Sequence, residues 1–216
     1  MSEPTPPVKD PNEKPLSIVW SLAWPAVALN SLQTFNALLD NYFLSQLEQA
    51  ALTAVGASIS TIFLLFSLSF AIGTAATALV SRFYGAGDMD QCKLANRKAL
   101  SLSIFLGLAL LLISLPIAPL ASKIFVPVED VLANRYFVQY VLLFLTSLPA
   151  VFIIQAWAGS LRGIGDTQSP MFISGMQIVV HILLNIVLIL PTRESASGLV
   201  IPGLGLGVAG AGLSMS

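Results

Sequence analysis

The stretch FNALLDNYFL, Phe35–Leu44, sets an ionisable residue, Asp40, inside a run that otherwise has the character of a membrane helix. A carboxylate in hydrocarbon is costly, and such residues usually face a bundle interior or a hydrated cavity and mark ion or substrate paths. Composition decides whether this run lies in a membrane at all. The 216 residues are 56% hydrophobic and only 10% charged, with a mean hydropathy of +0.83. Soluble domains carry about 25% charged residues. The chain is therefore expected to be a polytopic membrane protein.

Composition also narrows the function classes. A net charge of −1 gives no electrostatic case for a nucleic-acid partner. The single cysteine, Cys92, excludes an internal disulfide and has no neighbours suited to a metal site, so no metal or cofactor is expected. Residues 1–16 open with the Pro-rich, polar MSEPTPPVKDPNEKP, which lacks the apolar core and cleavage site of a signal peptide. They are expected to form a disordered cytoplasmic tail.

Apolar runs of about 20 residues are long enough to span a bilayer. They fall at approximately 17–46, 51–82, 97–121, 137–161 and 170–190, with a sixth opening at 203. Only helices and closed barrels satisfy the backbone inside lipid, and the loops here are short. The expectation is an all-α, six-helix bundle over residues 17–216. Its sixth helix is expected to be truncated, since the chain stops about a dozen residues into it. Pro25, Pro116, Pro119 and Pro149 are expected to interrupt or end spans. Small residues crowd AIGTAATALVS (71–81) and GLGLGVAGAG (203–212), a pattern that lets helices approach closely in lipid.

Basic residues set the orientation. With the N-terminus cytoplasmic, Lys9, Lys14, Arg82, Lys93, Arg97, Lys98 and Arg162 fall inside, and Lys123, Arg135 and Arg193 outside. This bias supports a cytoplasmic N-terminus. Two inner loops share the pattern G-x-G-D, ending at Asp88 and Asp166. A glycine can end one helix in the left-handed conformation and an aspartate can cap the next. The same four-residue pattern occurs in intramembrane aspartyl proteases, but both aspartates here lie in polar loops, which favours capping. No phosphate-binding glycine loop is present, and no enzymatic activity is expected.

Helical counting places Asp40 in context. At about 100° per residue, Asn30, Gln33, Thr34, Asn36, Asp40 and Asn41 share roughly 160° of one helix face. Counted from Ser17, Asp40 stands high in the span, near headgroups and water. Counted from Trp24 as the inner anchor, it lies about 24 Å along the axis, within a hydrocarbon of about 30 Å. The stripe favours a buried or cavity-facing carboxylate. In the fifth span Ser174, Gln177, His181 and Asn185 occupy about 80° of one face. A lone histidine on a helix is often only a packing residue, but here it shares its face with three other polar groups. Asn185 and Asp40 fall at similar depth by helical rise, which points to one shared hydrated cavity. Asn30, Gln33, Thr34, Asn36 and Gln177 are expected to line it.

Taken in order, these residues resemble the N-terminal half of the multidrug and toxic compound extrusion (MATE) transporters. The resemblance runs from about Leu16 to Ser216. It rests on Pro25 and Asp40, ALTAVGAS (51–58), ALVSRFYGAGD (78–88), GSLRGIGDTQSPM (159–171) and GLGVAGAG (205–212). It implies one lobe of a twelve-helix transporter of the plasma (inner) membrane, with a second six-helix lobe expected downstream. It also implies export of organic, often cationic, small molecules in exchange for H+ or Na+. By the same resemblance Asp40 is the acid implicated in cation coupling. Many members carry an Asn and then an Asp four residues later in the fifth helix. Here His181 and Asn185 stand at those positions, which leaves Asp40 with His181 as the titrating element. A flippase for lipid-linked saccharides would be expected to line its cavity with Arg and Lys, and no span interior here contains a basic residue. A non-transporting membrane protein with a structural polar core is the remaining alternative.

Overall fold

The computed structural model describes residues 15–194 and 200–215. Of the expected N-terminal tail, residues 1–14 lie outside the described residues, and Pro15 already opens the first helix. Among the described residues six helices run in order: α1 (Pro15–Leu44), α2 (Gln49–Gly85), α3 (Met89–Phe125), α4 (Val131–Gly163), α5 (Gln168–Leu188) and α6 (Val208–Met215). Between α5 and α6 an antiparallel hairpin pairs β1 (Pro191–Glu194) with β2 (Val200–Leu204), in the register Pro191 to Leu204 and Glu194 to Val200. Among the described residues, α2, α3, α4 and α5 are each long and apolar enough to cross a membrane.

Two expectations are corrected here. The sixth helix begins at Val208, not at 203. Residues 200–204 are strand, and Gly205 and Gly207 follow at φ +64° and +55°, a conformation that favours glycine and cannot continue a helix. At eight residues, α6 rises only about 12 Å. The prolines also behave differently. Pro25, Pro116, Pro119 and Pro149 all lie inside continuous helices, and none ends one.

The helix ends follow the glycine–aspartate pattern closely. At the end of α2, Gly87 takes φ +73°, the Asp88 N–H donates to Phe83 O and the Gly87 N–H to Tyr84 O. That paired arrangement closes a helix on a left-handed glycine. The end of α4 repeats it: Gly165 has φ +88°, with Asp166 N–H on Leu161 O and Gly165 N–H on Arg162 O. Each aspartate then accepts a backbone hydrogen from the next helix, Asp88 from Gln91 at 3.0 Å and Asp166 from Ser169 at 2.9 Å. The long helices are thus folded back by local backbone chemistry.

Helix α4 forms the spine. Phe137, Phe144, Leu145, Leu148 and Phe152 are at most 1% exposed, a helical spacing that buries one broad face. It packs against α2 and α3 on one side and α6 on another, while α1 lies along α5. Small residues make these crossings close. A Cβ on Gly107 of α3 would stand 2.7 Å from Pro149 Cα, and one on Gly210 of α6 would stand 2.6 Å from Leu188 C. So α6, though short, is pressed between α4 and α5, and this places its last turn beside α1.

Candidate functional site: a polar junction of three helices

Asp40 stands in the last turns of α1, His181 and Asn185 lie one turn apart on α5, and Ser214 closes α6. The close α4–α6 and α5–α6 packing brings all four together. The Asp40 carboxylate accepts from Asn185 Nδ2 at 2.6 Å and from Asn36 Nδ2, one turn earlier on α1, at 3.1 Å. His181 Nε2 faces the same carboxylate at 3.1 and 3.3 Å. On the other side of the ring, His181 Nδ1 lies 2.7 Å from the Ser214 main-chain oxygen. The Ser214 hydroxyl donates to Asn185 Oδ1. His181 and Asn185 are therefore each held from two sides.

Hydrogen-bond inventory fixes the tautomer. A carbonyl oxygen only accepts, so Nδ1 carries the hydrogen that it donates to Ser214. In a neutral ring Nε2 then has only a lone pair, which faces Asp40 and also lies 3.2 Å from Asn185 Nδ2, a donor. Asn185 is 2% exposed and the His181 and Asp40 side chains 15% and 29%, so the cluster is sheltered but still reachable by water. Next to it lies a cavity of about 10 Å³, bounded also by Tyr140 and Met215. That is room for about one water molecule. Tyr140 is buried, with its hydroxyl 3.3 Å from Met215 Sδ.

The polar stripe of α1 divides. Asn36 joins the cluster through its amide, while its Oδ1 is buried without a partner. Asn30, Gln33 and Thr34 are exposed, and Thr34 bonds only to Asn30 O of its own helix, at 2.9 Å. On α5, Gln177 is exposed and Ser174 half-buried. None of these five makes a side-chain bond to another helix among the described residues. Two members of the cluster escaped the sequence reading. Nothing in the sequence sets Tyr140 apart from the other aromatics of α4, and Ser214 gains its place only because α6 folds back on α5. A polar residue in the otherwise small, apolar run of 208–215 was the available signal for Ser214.

Comparison with known proteins places the chain in a family. The MatE family profile matches residues 25–187. The chain is 26% identical over 168 residues to the "Probable multidrug resistance protein NorM" of Thermotoga maritima, covering 78% of this chain and 36% of that protein. It is 27% identical over 161 residues to an "FAD transporter" of Shewanella oneidensis, covering 71% of this chain and 33% of that one. The chain thus spans about a third of the length of these relatives. In three dimensions it superposes on a MOP superfamily transporter from Pyrococcus furiosus with a TM-score of 0.82 at 23% identity, covering 94% of this chain and 42% of that structure. An outward-facing MATE family multidrug resistance transporter gives 0.78 at 23% identity, with the same coverage. The family is one of membrane transporters, not enzymes, and with its profile matched over most of the described helices this chain belongs to the MatE family.

Proposed function

We propose that the chain is one six-helix lobe of a secondary active transporter, which pairs with a second lobe of similar size. The transporter exports organic, often cationic, small molecules in exchange for H+ or Na+, across the plasma (inner) membrane with its N-terminus cytoplasmic. The observation that carries this reading is the convergence of Asp40, His181 and Asn185 on one junction of α1, α5 and α6. A half-buried carboxylate at the meeting of three helices gives a cation a way to bias how those helices pack. The adjoining volume of about 10 Å³ suits a proton, a water or a small ion, so the organic substrate binds elsewhere, between the lobes.

Within this reading the proton is favoured over sodium. The Asp40 carboxylate is met by nitrogen groups from Asn36, Asn185 and His181, whereas a hard cation needs several oxygen ligands. With Nδ1–H committed to Ser214, Nε2 faces a carboxylate oxygen at 3.1 Å and Asn185 Nδ2 at 3.2 Å, so the ring can accept from the amide when neutral or donate to Asp40 when protonated. A proton entering this junction therefore finds the ring nitrogen and the carboxylate within hydrogen-bond reach of each other.

Reconstitution of the full-length transporter tests the reading. Wild-type protein should drive substrate efflux in response to an imposed pH or sodium gradient, and Asp40→Asn should abolish that response while the protein remains folded. Gradient-driven efflux that survives Asp40→Asn with unchanged ion dependence would mean that Asp40 is part of a purely structural polar core.

A further inference from the structure

A cleft of about 700 Å³ opens between the end of α3 and the start of α4, well away in sequence from Asp40, His181 and Asn185. Its walls change character along their length. Lys123 lies in the last turn of α3 and Arg135 near the start of α4, so both cations stand at the loop end of this helical hairpin. Val138 and Leu142 follow Arg135 by three and seven residues, about 5 and 10 Å deeper along α4, and Pro119 precedes Lys123 by about 6 Å on α3. Both helices are apolar enough to cross a membrane. The cleft therefore carries its two cations at the loop end, beside Val128 and Val131, and continues deeper along Val138 and Leu142 with Gln139 between them.

Neither Lys123 nor Arg135 forms an ion pair among the described residues. Of the neighbouring acids, Asp130 is engaged in capping α4 through the Ala133 N–H at 2.9 Å, and Glu129 does not line the cleft. Long basic side chains near helix ends extend towards the interface. There, a guanidinium matches a phosphate with paired hydrogen bonds while an ammonium adds a point charge.

We propose that this cleft binds an anionic phospholipid. Its phosphodiester sits between Lys123 and Arg135, and an acyl chain runs along Val138 and Leu142. The apolar lining beside the cations selects an amphiphile over a soluble anion, and the two cations, which close no ion pair among the described residues, select an anionic headgroup over a zwitterionic one. Tyr140, which borders the Asp40 cavity, is about 200° round α4 from Val138 and 160° from Leu142. The lipid therefore braces the face of α4 opposite the polar junction. This site does not depend on the transport reading.

The purified protein, titrated in neutral detergent with phosphatidylglycerol or phosphatidylcholine and followed by native mass spectrometry, tests the proposal. Phosphatidylglycerol should be retained in preference. Removing both cations in Lys123→Ala/Arg135→Ala should weaken that retention about thirtyfold, roughly fivefold for each charge. The charge-preserving Lys123→Arg/Arg135→Lys should retain it. Independently of any cation variant, a tryptophan placed by Val138→Trp should be quenched by brominated phosphatidylglycerol in liposomes beyond the level of the native tryptophans. Equal retention of the two lipids would overturn the proposal, as would loss of discrimination in the charge-preserving variant. Absence of added quenching would show that protein, such as a second lobe, fills the cleft, and would overturn it too.

Discussion

Gly159 of α4 meets Gly73 of α2 so closely that a Cβ on Gly159 would stand 2.8 Å from the Gly73 carbonyl carbon and 2.9 Å from its Cα. The crossing is sealed by Thr77, whose hydroxyl lies 2.9 Å from both Gly73 O and Gly159 O and can donate to either. One turn on, a Cβ on Gly163 would meet Val80 at 2.8 Å. In lipid, where apolar side chains gain little from leaving their surroundings, such close backbone contact is a principal source of helix association.

Substitution at this crossing should therefore be costly. The atoms facing Gly159 are backbone and cannot rotate away, so Gly159→Ala should destabilise the protein by about 1–3 kcal/mol. Gly56→Ala, on the same α2 but with nothing within 4 Å of the new methyl, should be neutral or stabilising by up to about 1 kcal/mol through helix propensity. Unfolding in detergent measures both. Equal effects at the two positions would refute the close-crossing account.

Asp166 offers a pH-linked test outside the membrane. The Ser169 hydroxyl and its backbone N–H hold this carboxyl below the usual carboxylate range. The folded value is thus depressed relative to an unfolded value near 3.9. Its contribution to stability is present above that unfolded value and is lost as pH falls through the folded one. At neutral pH Asp166→Ala should cost about 0.5–1 kcal/mol, the lower part of the range for a helix cap because the site is solvated. The gap between wild type and variant should close in strongly acidic solution, and a gap that persists there would point to lost packing instead.

Topology can be read from α2. Its 37 residues span about 55 Å, more than the roughly 30 Å of hydrocarbon, so its ends emerge on opposite sides. Gln49, its first residue, and Met89, four residues past its end, are both exposed. In a Cys92→Ser background, Gln49→Cys should react with an impermeant thiol reagent on intact cells, and Met89→Cys only after lysis. The reverse pattern would place the N-terminus outside.

The parts of this fold that were legible in the sequence are those written in local chemistry. Long apolar runs gave α1 to α5, and the glycine–aspartate pairs at 87–88 and 165–166 marked two of the folds between them. The depth match of Asp40 and Asn185 followed from helical rise alone, and the two side chains do meet. The hairpin of β1 and β2 was not legible, because strands of four and five residues leave too little periodicity and the pairing joins residues on either side of a loop. Nor could helical counting separate Asn36, which turns into the cluster, from Asn30, Gln33 and Thr34, which share its stripe but stay exposed. That division depends on where α5 and α6 end, which is a property of the packing and not of α1.

The histidine carries the last prediction. His181 is clamped between the Ser214 carbonyl of α6 at 2.7 Å and the Asp40 carboxylate of α1 at 3.1 Å, so a change in its protonation is felt by three helices at once. An unperturbed imidazole titrates near pH 6.5, and modest changes in surroundings move its charge across the working range. Two roles are compatible with the clamp. In the structural role His181 only supplies the hydrogen bond to Ser214 and fills space beside Asn185. In the coupling role it shares a proton with Asp40 and releases it when the junction opens. Glutamine separates them, because its amide can donate to Ser214 but holds no titratable proton. Under the structural role, His181→Gln should leave efflux and its pH dependence nearly intact. Under the coupling role, the pH profile of efflux should flatten between about pH 5.5 and 7.5, a window that brackets the reference pKa, while Asp40 remains essential. Asp40→Asn alone removes the carboxylate but leaves the ring. The double variant should then behave like Asp40→Asn, since the two residues act on one proton and their effects do not add. A pH profile unchanged by His181→Gln would leave Asp40 as the sole titrating group of the junction.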